Sequence, residues 1–130
     1  MSEKIMIIDD DESFLEELKD ALASSGYDVD IVSDPMTAVA KVEKTKPDVI
    51  LLDLKMAKET GFEIACRLRD DKIVSHIPII AMSGAYFLSE NSFLMRFCAF
   101  KRWLKKPFSP ADAIRQIEAV LDEKKREFAA

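Results

Sequence analysis

Short, unbroken apolar runs alternate along the chain with longer segments in which apolar residues recur at helical spacing. Unbroken runs of this kind are typical of strands that are covered on both faces in a parallel sheet. One run differs, because Asp28 and Asp30 alternate with apolar residues, which predicts a half-exposed strand at a sheet edge. The pattern predicts five strands, at residues 4–8, 27–31, 49–52, 77–82 and 100–104.

Five helical segments follow these strands one by one. Gly26 ends the first segment, and Asp34 with Pro35 opens the second, as expected for residues that commonly end and begin helices. The helices are predicted to begin at residues 11–12, 33–35, 61, 88 and 109–110, with the third ending near residue 70 and the fourth near 98. Strict alternation predicts a doubly wound α/β fold, a five-stranded parallel sheet with five helices, in a single domain spanning residues 1–130.

Size and composition agree with one domain and narrow the class of function. The chain has 130 residues, of which 48% are hydrophobic, enough for a buried core. A net charge of −5 argues against direct binding to nucleic acid, and no apolar run approaches the ~20 residues that cross a membrane. Cys66 and Cys98 are isolated in the sequence, which predicts two reduced thiols. Because no secretory signal precedes the first strand, we expect a cytoplasmic protein.

Polar side chains stand at the ends of four predicted strands. They are three carboxylates, a hydroxyl and an amine, namely Asp9, Asp10, Asp53, Ser83 and Lys106. The carboxyl ends of parallel strands meet at one edge of the sheet, where open α/β sheets bind ligands. Clustered carboxylates repel one another unless a cation joins them, and a lysine with a hydroxyl suits an incoming phosphoryl group. The arrangement predicts a Mg²⁺-dependent aspartyl-phosphate site.

Asp53 is the predicted phosphoryl acceptor, because it ends a buried strand and is followed by a loop that leaves it accessible. Mg²⁺ retains several waters and needs only one or two carboxylates with a backbone carbonyl. Asp10 and Asp53 are the predicted carboxylate ligands, with Asp9 acting through a water. Each of these residues alone would have an ordinary explanation, and one of the acidic run at residues 9–11 is expected to cap the first helix.

Over residues 4–124 the chain resembles the receiver domain of two-component response regulators. The resemblance rests on short motifs that occur in the family's order, which are IIDD at residues 7–10, DVILLDLKM at 48–56, GFE at 61–63, PIIAMSG at 78–84 and KPF at 106–108. It implies a flavodoxin-like sheet with the strand order 2-1-3-4-5. It also implies that Asp53 accepts a phosphoryl group from a phosphohistidine on a histidine kinase or phosphotransfer protein.

The resemblance further implies a role for each residue around the acceptor. Asp10, Asp53 and the backbone carbonyl of Lys55 would bind Mg²⁺, with Asp9 reaching the ion through a water. Lys106 would pair with the phosphoryl oxygens and would be joined to the following proline by a cis bond. These residues would let the protein catalyse only its own phosphorylation and dephosphorylation.

Two residues carry the implied switch. Ser83 would move to hydrogen-bond the phosphoryl group, and Trp103 stands where the family has a switch aromatic residue. Phosphorylation would change the surface of the fourth helix, fifth strand and fifth helix, and so control binding to a downstream effector, an output domain or a second copy of the chain. The sequence is compatible with a stand-alone receiver and with part of a longer regulator or hybrid kinase.

Several positions depart from the family's usual pattern. Ala57 replaces a proline, Phe100 brings a large ring to a tight position, and the bulk of Trp103 is expected to hinder its rotation into the interior. The segment between Ser83 and the lysine that matches the family's lysine is about one residue longer than is usual in the family. We assign Lys106 rather than Lys105 to this position, because Lys106 directly precedes a proline.

Two other classes of function remain compatible with parts of the pattern. The acidic run at residues 9–11 fits the Asp-x-Asp motif of haloacid-dehalogenase-type phosphatases, with Asp9 as the nucleophile, but this leaves Asp53 without a role. The second alternative is a receiver-like module that binds its partner without being phosphorylated. The complete set of polar strand-end residues argues against it.

Overall fold

The computed structural model of the protein describes residues 2–58, 60–84, 98 and 100–129. These residues form a five-stranded parallel sheet with helices on both faces. The strands are β1 (Lys4–Ile8), β2 (Asp28–Val32), β3 (Val49–Asp53), β4 (Ile79–Ser83) and β5 (Arg102–Lys105). The α-helices of the described residues are α1 (Glu12–Ser24), α2 (Ala38–Thr45), α3 (Gly61–Arg69) and α4 (Pro110–Ala129). The strand order β2-β1-β3-β4-β5 confirms the predicted doubly wound fold and the edge position of β2.

The described residues contain four of the five predicted helices. The remaining one, predicted at residues 88–98, falls outside the described residues except for Cys98, which lies in a turn. None of the described helices combines the length and the apolar character needed to cross a membrane.

Two separate cores, one on each face of the sheet, explain the unbroken apolar runs. Ile50 and Leu52 of β3 face the core that contains side chains of α2 and α3. Val49 and Leu51 face the opposite core, which contains side chains of α1 and α4. Because successive strand residues point to opposite faces, a strand covered on both sides must be apolar at every position. The run ends at Asp53, which therefore stands at the boundary between core and solvent.

Short polar side chains begin the helices. Asp11 caps α1 by accepting a hydrogen bond from the N–H of Phe14 at 3.1 Å, which confirms that one residue of the acidic run is a cap. The second helical segment begins where predicted, with Asp34 as its N-cap and Pro35 as its first residue, but its first turn, Pro35–Thr37, is a 3-10 turn that leads directly into α2. Thr37 donates its N–H to the carbonyl of Asp34, three residues back, which is the bonding pattern of a 3-10 helix.

The last two strands begin and end later than predicted. Residues 77–82 and 100–104 were expected, whereas β4 is Ile79–Ser83 and β5 is Arg102–Lys105. Ile77 donates its N–H to the carbonyl of Val74 within a turn, so it is not available to the sheet. Ile77 and Phe100 are nevertheless buried in the core beside α3. The apolar character of these two residues therefore indicates that they are buried and does not indicate that they belong to a strand.

The two cysteines lie next to each other in the fold. The Sγ atoms of Cys66 in α3 and Cys98 are 3.8 Å apart, and both residues are free thiols. The two cysteines are thus isolated in the sequence but not in the fold, which joins positions that lie far apart along the chain.

Candidate functional site

The register of the strands places two carboxylates side by side at the carboxyl edge of the sheet. Ile8 of β1 pairs with Leu52 of β3, so the residues that follow them, Asp9 and Asp53, lie next to each other at the same height along the strands. Ser83, the last residue of β4, lies one position further along the same edge. All three side chains are buried. The sheet thus brings together polar residues from three strands, as their positions in the sequence predict.

Asp10 joins these residues to make a cluster of three carboxylates. One oxygen atom of each of Asp9, Asp10 and Asp53 lies within 4.8 Å of the others. Asp9 and Asp53 are only 1% and 5% exposed, whereas Asp10 is open to solvent. Hard oxygen ligands with one side open to water fit Mg²⁺, which binds few protein groups and keeps several waters. The donor set is therefore suited to this ion.

The surroundings of Asp53 disfavour its charged form. Burial, and after it the nearby charge of Asp9, raise the pKa of this carboxyl, and the net result of all influences is a rise from 3.8 to about 6. Lys106 and a hydrogen bond from the backbone N–H of Lys55 act in the opposite sense and lower the pKa. At neutral pH Asp53 is still mostly ionised, but its charge is held at a cost in free energy. A bound cation would relieve that cost.

Both oxygens of Asp9 have partners. Lys106 Nζ lies 2.5 Å from Asp9 Oδ2 and 3.5 Å from Asp53 Oδ1. The backbone N–H of Asp11 donates to Asp9 Oδ1 at 3.0 Å. Lys106 is therefore the counter-ion of the buried carboxylates, and Asp9 is the residue that it holds most closely.

The loop after β3 is hydrogen-bonded to the acidic cluster. The backbone N–H of Ala57 donates to Asp10 Oδ2 at 2.8 Å, and that of Lys55 donates to the Asp53 carboxylate. The loop is thus attached to both of the carboxylates that were predicted as direct metal ligands. Ala57 needs a backbone N–H for this contact, which a proline would lack.

An aromatic ring supports the lysine side chain. Lys106 Nζ lies 4.2 Å from the centre of the Phe14 ring, within the range of a cation–π interaction. The ring of Phe108 packs edge-on against Phe14, with centroids 5.8 Å apart. The sequence patterns assign no role to Phe14, because this contact depends on how α1 packs against the end of β5.

Lys106 is also connected to β4 through the backbone. Its N–H donates to the carbonyl of Ser83 at 2.8 Å, and the bond between Lys106 and Pro107 is cis. Lys105 lies exposed on β5, so Lys106 is the lysine that reaches the carboxylates. Trp103 is 51% exposed on the same strand, on the outer surface of the domain.

A groove of about 450 Å³ opens beside the lysine. It lies between α1 and the chain that leads into α4, and its lining includes Phe14, Leu18, Lys106 and Phe108. The lining also includes Asp11 and Glu17, so the groove combines apolar surface with charged groups of both signs.

Comparison with protein families gives one match that covers most of the chain. The family model of the response regulator receiver domain matches residues 5–118. Among curated proteins, the alkaline phosphatase synthesis transcriptional regulatory protein PhoP of Bacillus subtilis is 34% identical over 121 residues. That alignment covers 93% of this chain and 49% of PhoP, so the chain spans about half the length of this relative. The polar-differentiation response regulator DivK of Brucella ovis is 27% identical, over 95% of this chain and 99% of DivK.

Solved structures give the same result. The chemotaxis response regulator CheY4 of Vibrio cholerae superposes with a TM-score of 0.85 at 27% identity, over 92% of this chain and 99% of CheY4. A CheY-like response regulator receiver domain protein from Methanospirillum hungatei superposes with a TM-score of 0.89 at 28% identity. That superposition covers 98% of this chain and 99% of the other.

Proposed function

The chain belongs to the response regulator receiver domain family, and we propose that within it Asp53 is the residue that accepts the phosphoryl group. As a receiver domain of two-component systems, the protein is proposed to interact with a histidine kinase or phosphotransfer protein and with an output effector. The observation that carries the proposal is the position of Asp53, buried at a strand end in a cluster with Asp9 and Asp10 and 3.5 Å from Lys106. The family match over residues 5–118 supports the proposal of a single receiver domain over residues 1–130, and the cytoplasm is the proposed location.

The proposed transfer is a single displacement at phosphorus. An oxygen of Asp53 forms a bond to the phosphorus of a partner's phosphohistidine as the bond to the imidazole nitrogen breaks, and the electron pair stays with that nitrogen. Such a transfer needs positioning and charge neutralisation more than covalent help. Lys106 supplies one positive charge within 3.5 Å of the acceptor oxygen. The chain acts on itself in this reaction and on no separate substrate.

Mg²⁺ is the proposed cofactor of this site. Asp10, Asp53 and the backbone carbonyl of Lys55 would hold it, with Asp9 acting through a water. When bound, the ion neutralises the carboxylates and the phosphoryl oxygens, so that like charges can approach. The hydrogen bonds that Lys106 and the N–H of Asp11 make to Asp9 keep its oxygens engaged and favour this indirect role.

Lys106 and Ser83 are the residues proposed to respond to the phosphoryl group. The new negative charge on Asp53 attracts the ammonium of Lys106 away from Asp9, and the hydroxyl of Ser83 donates to a phosphoryl oxygen. The backbone hydrogen bond between Lys106 and Ser83 couples the two movements. Trp103, three residues before Lys106 on β5, would carry the change to the outer surface.

Two surfaces are proposed to meet partners. The groove is lined in part by Lys106, whose Nζ lies 3.5 Å from Asp53 Oδ1, and it is proposed to receive a histidine kinase or phosphotransfer protein. The exposed side of β5, together with α4, would bind an effector, an output domain or a second copy of the chain; the fourth predicted helix, at residues 88–98, was expected to share this role but lies outside the described residues except for Cys98. Trp103 is exposed on β5 and belongs to this second surface.

The geometry disfavours the phosphatase alternative. A nucleophilic Asp9 would need an oxygen directed at the substrate, but its two oxygens are bonded to Lys106 and to the N–H of Asp11. The family match also assigns the chain to receivers. A binding module that works without phosphorylation would have no use for the buried charge of Asp53, which is costly to maintain.

The proposal predicts Mg²⁺-dependent self-phosphorylation. With acetyl phosphate and millimolar Mg²⁺ the protein is expected to gain the mass of one phosphoryl group, and the fluorescence of Trp103, the only tryptophan, is expected to change. Mg²⁺ alone should raise the melting temperature, by the equivalent of about 1.4 kcal/mol at ten times its Kd. The control omits Mg²⁺ or replaces it with a chelator. Absence of any gain in mass with both reagents present would disprove phosphoryl acceptance.

Removal of the lysine charge is predicted to strengthen metal binding. In Lys106→Met the ammonium no longer competes for Asp9 and Asp53, so Mg²⁺ is expected to bind roughly tenfold more tightly. The metal-free variant should melt at a lower temperature, because the buried Asp9 loses its partner. The matched control is Lys105→Met, the same change at the exposed neighbour, which should leave both quantities unaltered. Calorimetric titration that finds weaker Mg²⁺ binding in Lys106→Met would contradict the assigned competition.

A further inference from the structure

Two thiols from distant parts of the chain lie in contact on the face of the sheet that α3 covers. Cys66 and Cys98 are 32 positions apart (98 − 66) in the sequence, yet their sulfur atoms are 3.8 Å apart. Cys98 belongs to the core on this face, and Cys66 packs against the same core. The sulfur atoms of a disulfide are about 2.0 Å apart, so bond formation needs a relative displacement of less than 2 Å.

We propose that Cys66 and Cys98 form a reversible disulfide when the protein meets a small-molecule disulfide as oxidant. The bond would tie α3 to the chain that enters β5. The site is separate from the carboxylate cluster, and the inference does not depend on the identity of the phosphoryl acceptor.

The two thiols differ in a way that fixes the order of the reaction. Cys66 is half-buried and reachable from solvent, whereas Cys98 is only 2% exposed. Burial, followed by its contact with Cys66, raises the pKa of the Cys98 thiol to about 11. Its S–H is directed at the carbonyl of Phe62 at 4.0 Å, which leaves the Cys98 sulfur to accept the S–H of Cys66. Cys66 is therefore the thiol that meets the oxidant.

The reaction has two balanced steps. The thiolate of Cys66 attacks one sulfur of the oxidant RSSR, the S–S bond breaks, and RS⁻ leaves and takes up the proton that Cys66 has lost. The thiolate of Cys98 then attacks the Cys66 sulfur of the mixed disulfide and releases the second RS⁻, which takes up the proton from Cys98. Overall, two protein thiols are oxidised to one disulfide, and RSSR is reduced to two RSH.

The consequence of the bond follows from where its ends lie. Cys66 is anchored in α3, whose helix begins at Gly61 beside the acceptor strand. Cys98 stands four positions before β5, on the chain that connects Ser83 to Lys106. Oxidation would therefore attach Cys98 to α3, at a point of the chain between Ser83 and Lys106, the two residues that are proposed to respond to phosphorylation. The closed loop of 33 residues also restricts the unfolded chain, which stabilises the folded state.

Treatment of the full-length reduced protein with glutathione disulfide tests the inference. Intact mass is expected to fall by two hydrogen atoms, neither cysteine should remain open to alkylation, and peptide mapping should recover Cys66 linked to Cys98. The melting temperature is expected to rise by about 10 °C and to return after reduction with dithiothreitol. No phosphodonor or Mg²⁺ is present, so failure here is distinct from failure of the acceptor assignment.

Two single variants separate the two steps. Cys98→Ala keeps a small apolar side chain in the core and is expected to stop at a glutathione adduct on Cys66. Cys66→Ser leaves only the buried thiol and is expected to form neither an adduct nor a cross-link. Two alkylatable thiols in the treated wild type, a lasting adduct on Cys66, or a disulfide-linked dimer would each overturn the proposal. An unchanged melting temperature of the cross-linked protein would overturn the inferred restraint.

Discussion

Asp53→Asn is expected to abolish phosphorylation by acetyl phosphate and by any cognate kinase, with no phosphoryl group detectable by intact mass. The amide keeps the size of the side chain but lacks the anionic oxygen that forms the bond to phosphorus. In the wild type, peptide mapping after trapping of the acyl phosphate should locate the modification on Asp53. The same variant removes a charge that the fold holds at a cost, so it should also be more stable than the wild type without metal.

The size of that stabilisation follows from the pKa of Asp53. A rise from 3.8 to about 6 corresponds to about 3 kcal/mol at neutral pH. Because the folded pKa lies above the unfolded one, the stability linked to this group is complete below pH 3.8 and is lost as the pH rises through 6. The free energy of unfolding of metal-free Asp53→Asn, measured between pH 4 and 8, should not show this loss of stability. Mg²⁺ should then raise its melting temperature much less than it raises that of the wild type.

The matched comparison for the acceptor is Asp9→Asn. It changes a buried neighbouring carboxylate in the same way but should leave phosphorylation of Asp53 detectable, at a reduced rate. The phosphatase alternative predicts the reverse, with activity lost in Asp9→Asn and retained in Asp53→Asn. Undiminished incorporation in Asp53→Asn, or a phosphoryl group mapped to Asp9 or Asp10, would refute the assignment.

Gly61→Ala is expected to destabilise the protein by about 3 kcal/mol or more and to slow phosphorylation strongly. A Cβ atom at Gly61 would lie 2.2 Å from the carbonyl oxygen of Asp53 and 2.9 Å from the Cα of Leu54. Both are backbone atoms, so relief requires that α3 or the end of the acceptor strand moves. The expected result is a large fall in melting temperature together with a displaced acceptor carboxylate.

Gly84→Ala is the control for this substitution. Among the described residues its Cβ atom would meet Lys106, with the nearest atoms at 3.8 and 3.9 Å, which is ordinary contact. Near wild-type stability is therefore expected for Gly84→Ala in thermal unfolding. If Gly61→Ala unfolds at the wild-type temperature and is phosphorylated at the wild-type rate, close contact between α3 and β3 does not position the acceptor.

Much of the fold and of the polar edge could be predicted from local patterns in the sequence. Apolar runs that end in Asp9, Asp53 and Ser83 report strands buried on both faces, and parallel strands must bring their carboxyl ends together. Boundaries were less accurate where burial and strand pairing diverge, as at Ile77 and Phe100. An apolar side chain indicates that a residue is buried, but it does not indicate whether the backbone of that residue pairs with a neighbouring strand.

Contacts between distant elements could not be read from the sequence. The cation–π contact of Phe14 with Lys106 depends on how α1 crosses the end of β5, and the contact between the two cysteines depends on how α3 lies over the sheet. Gly61 was identified as the start of a helix, but its close approach to Asp53 is a property of packing. Such distances are set by the tertiary arrangement and have no local signature.

The sheet separates the groove beside Lys106 from the thiol pair, so that the two lie on opposite faces of the sheet. The groove is lined by side chains of the core shared by α1 and α4, whereas Cys66 and Cys98 belong to the core shared by α2 and α3. A partner bound in the groove would therefore not block access to Cys66, the half-buried thiol of the pair. The domain could thus combine two independent inputs, a phosphoryl signal from a protein and a chemical signal from the oxidation state of its surroundings, and give a joint response at β5.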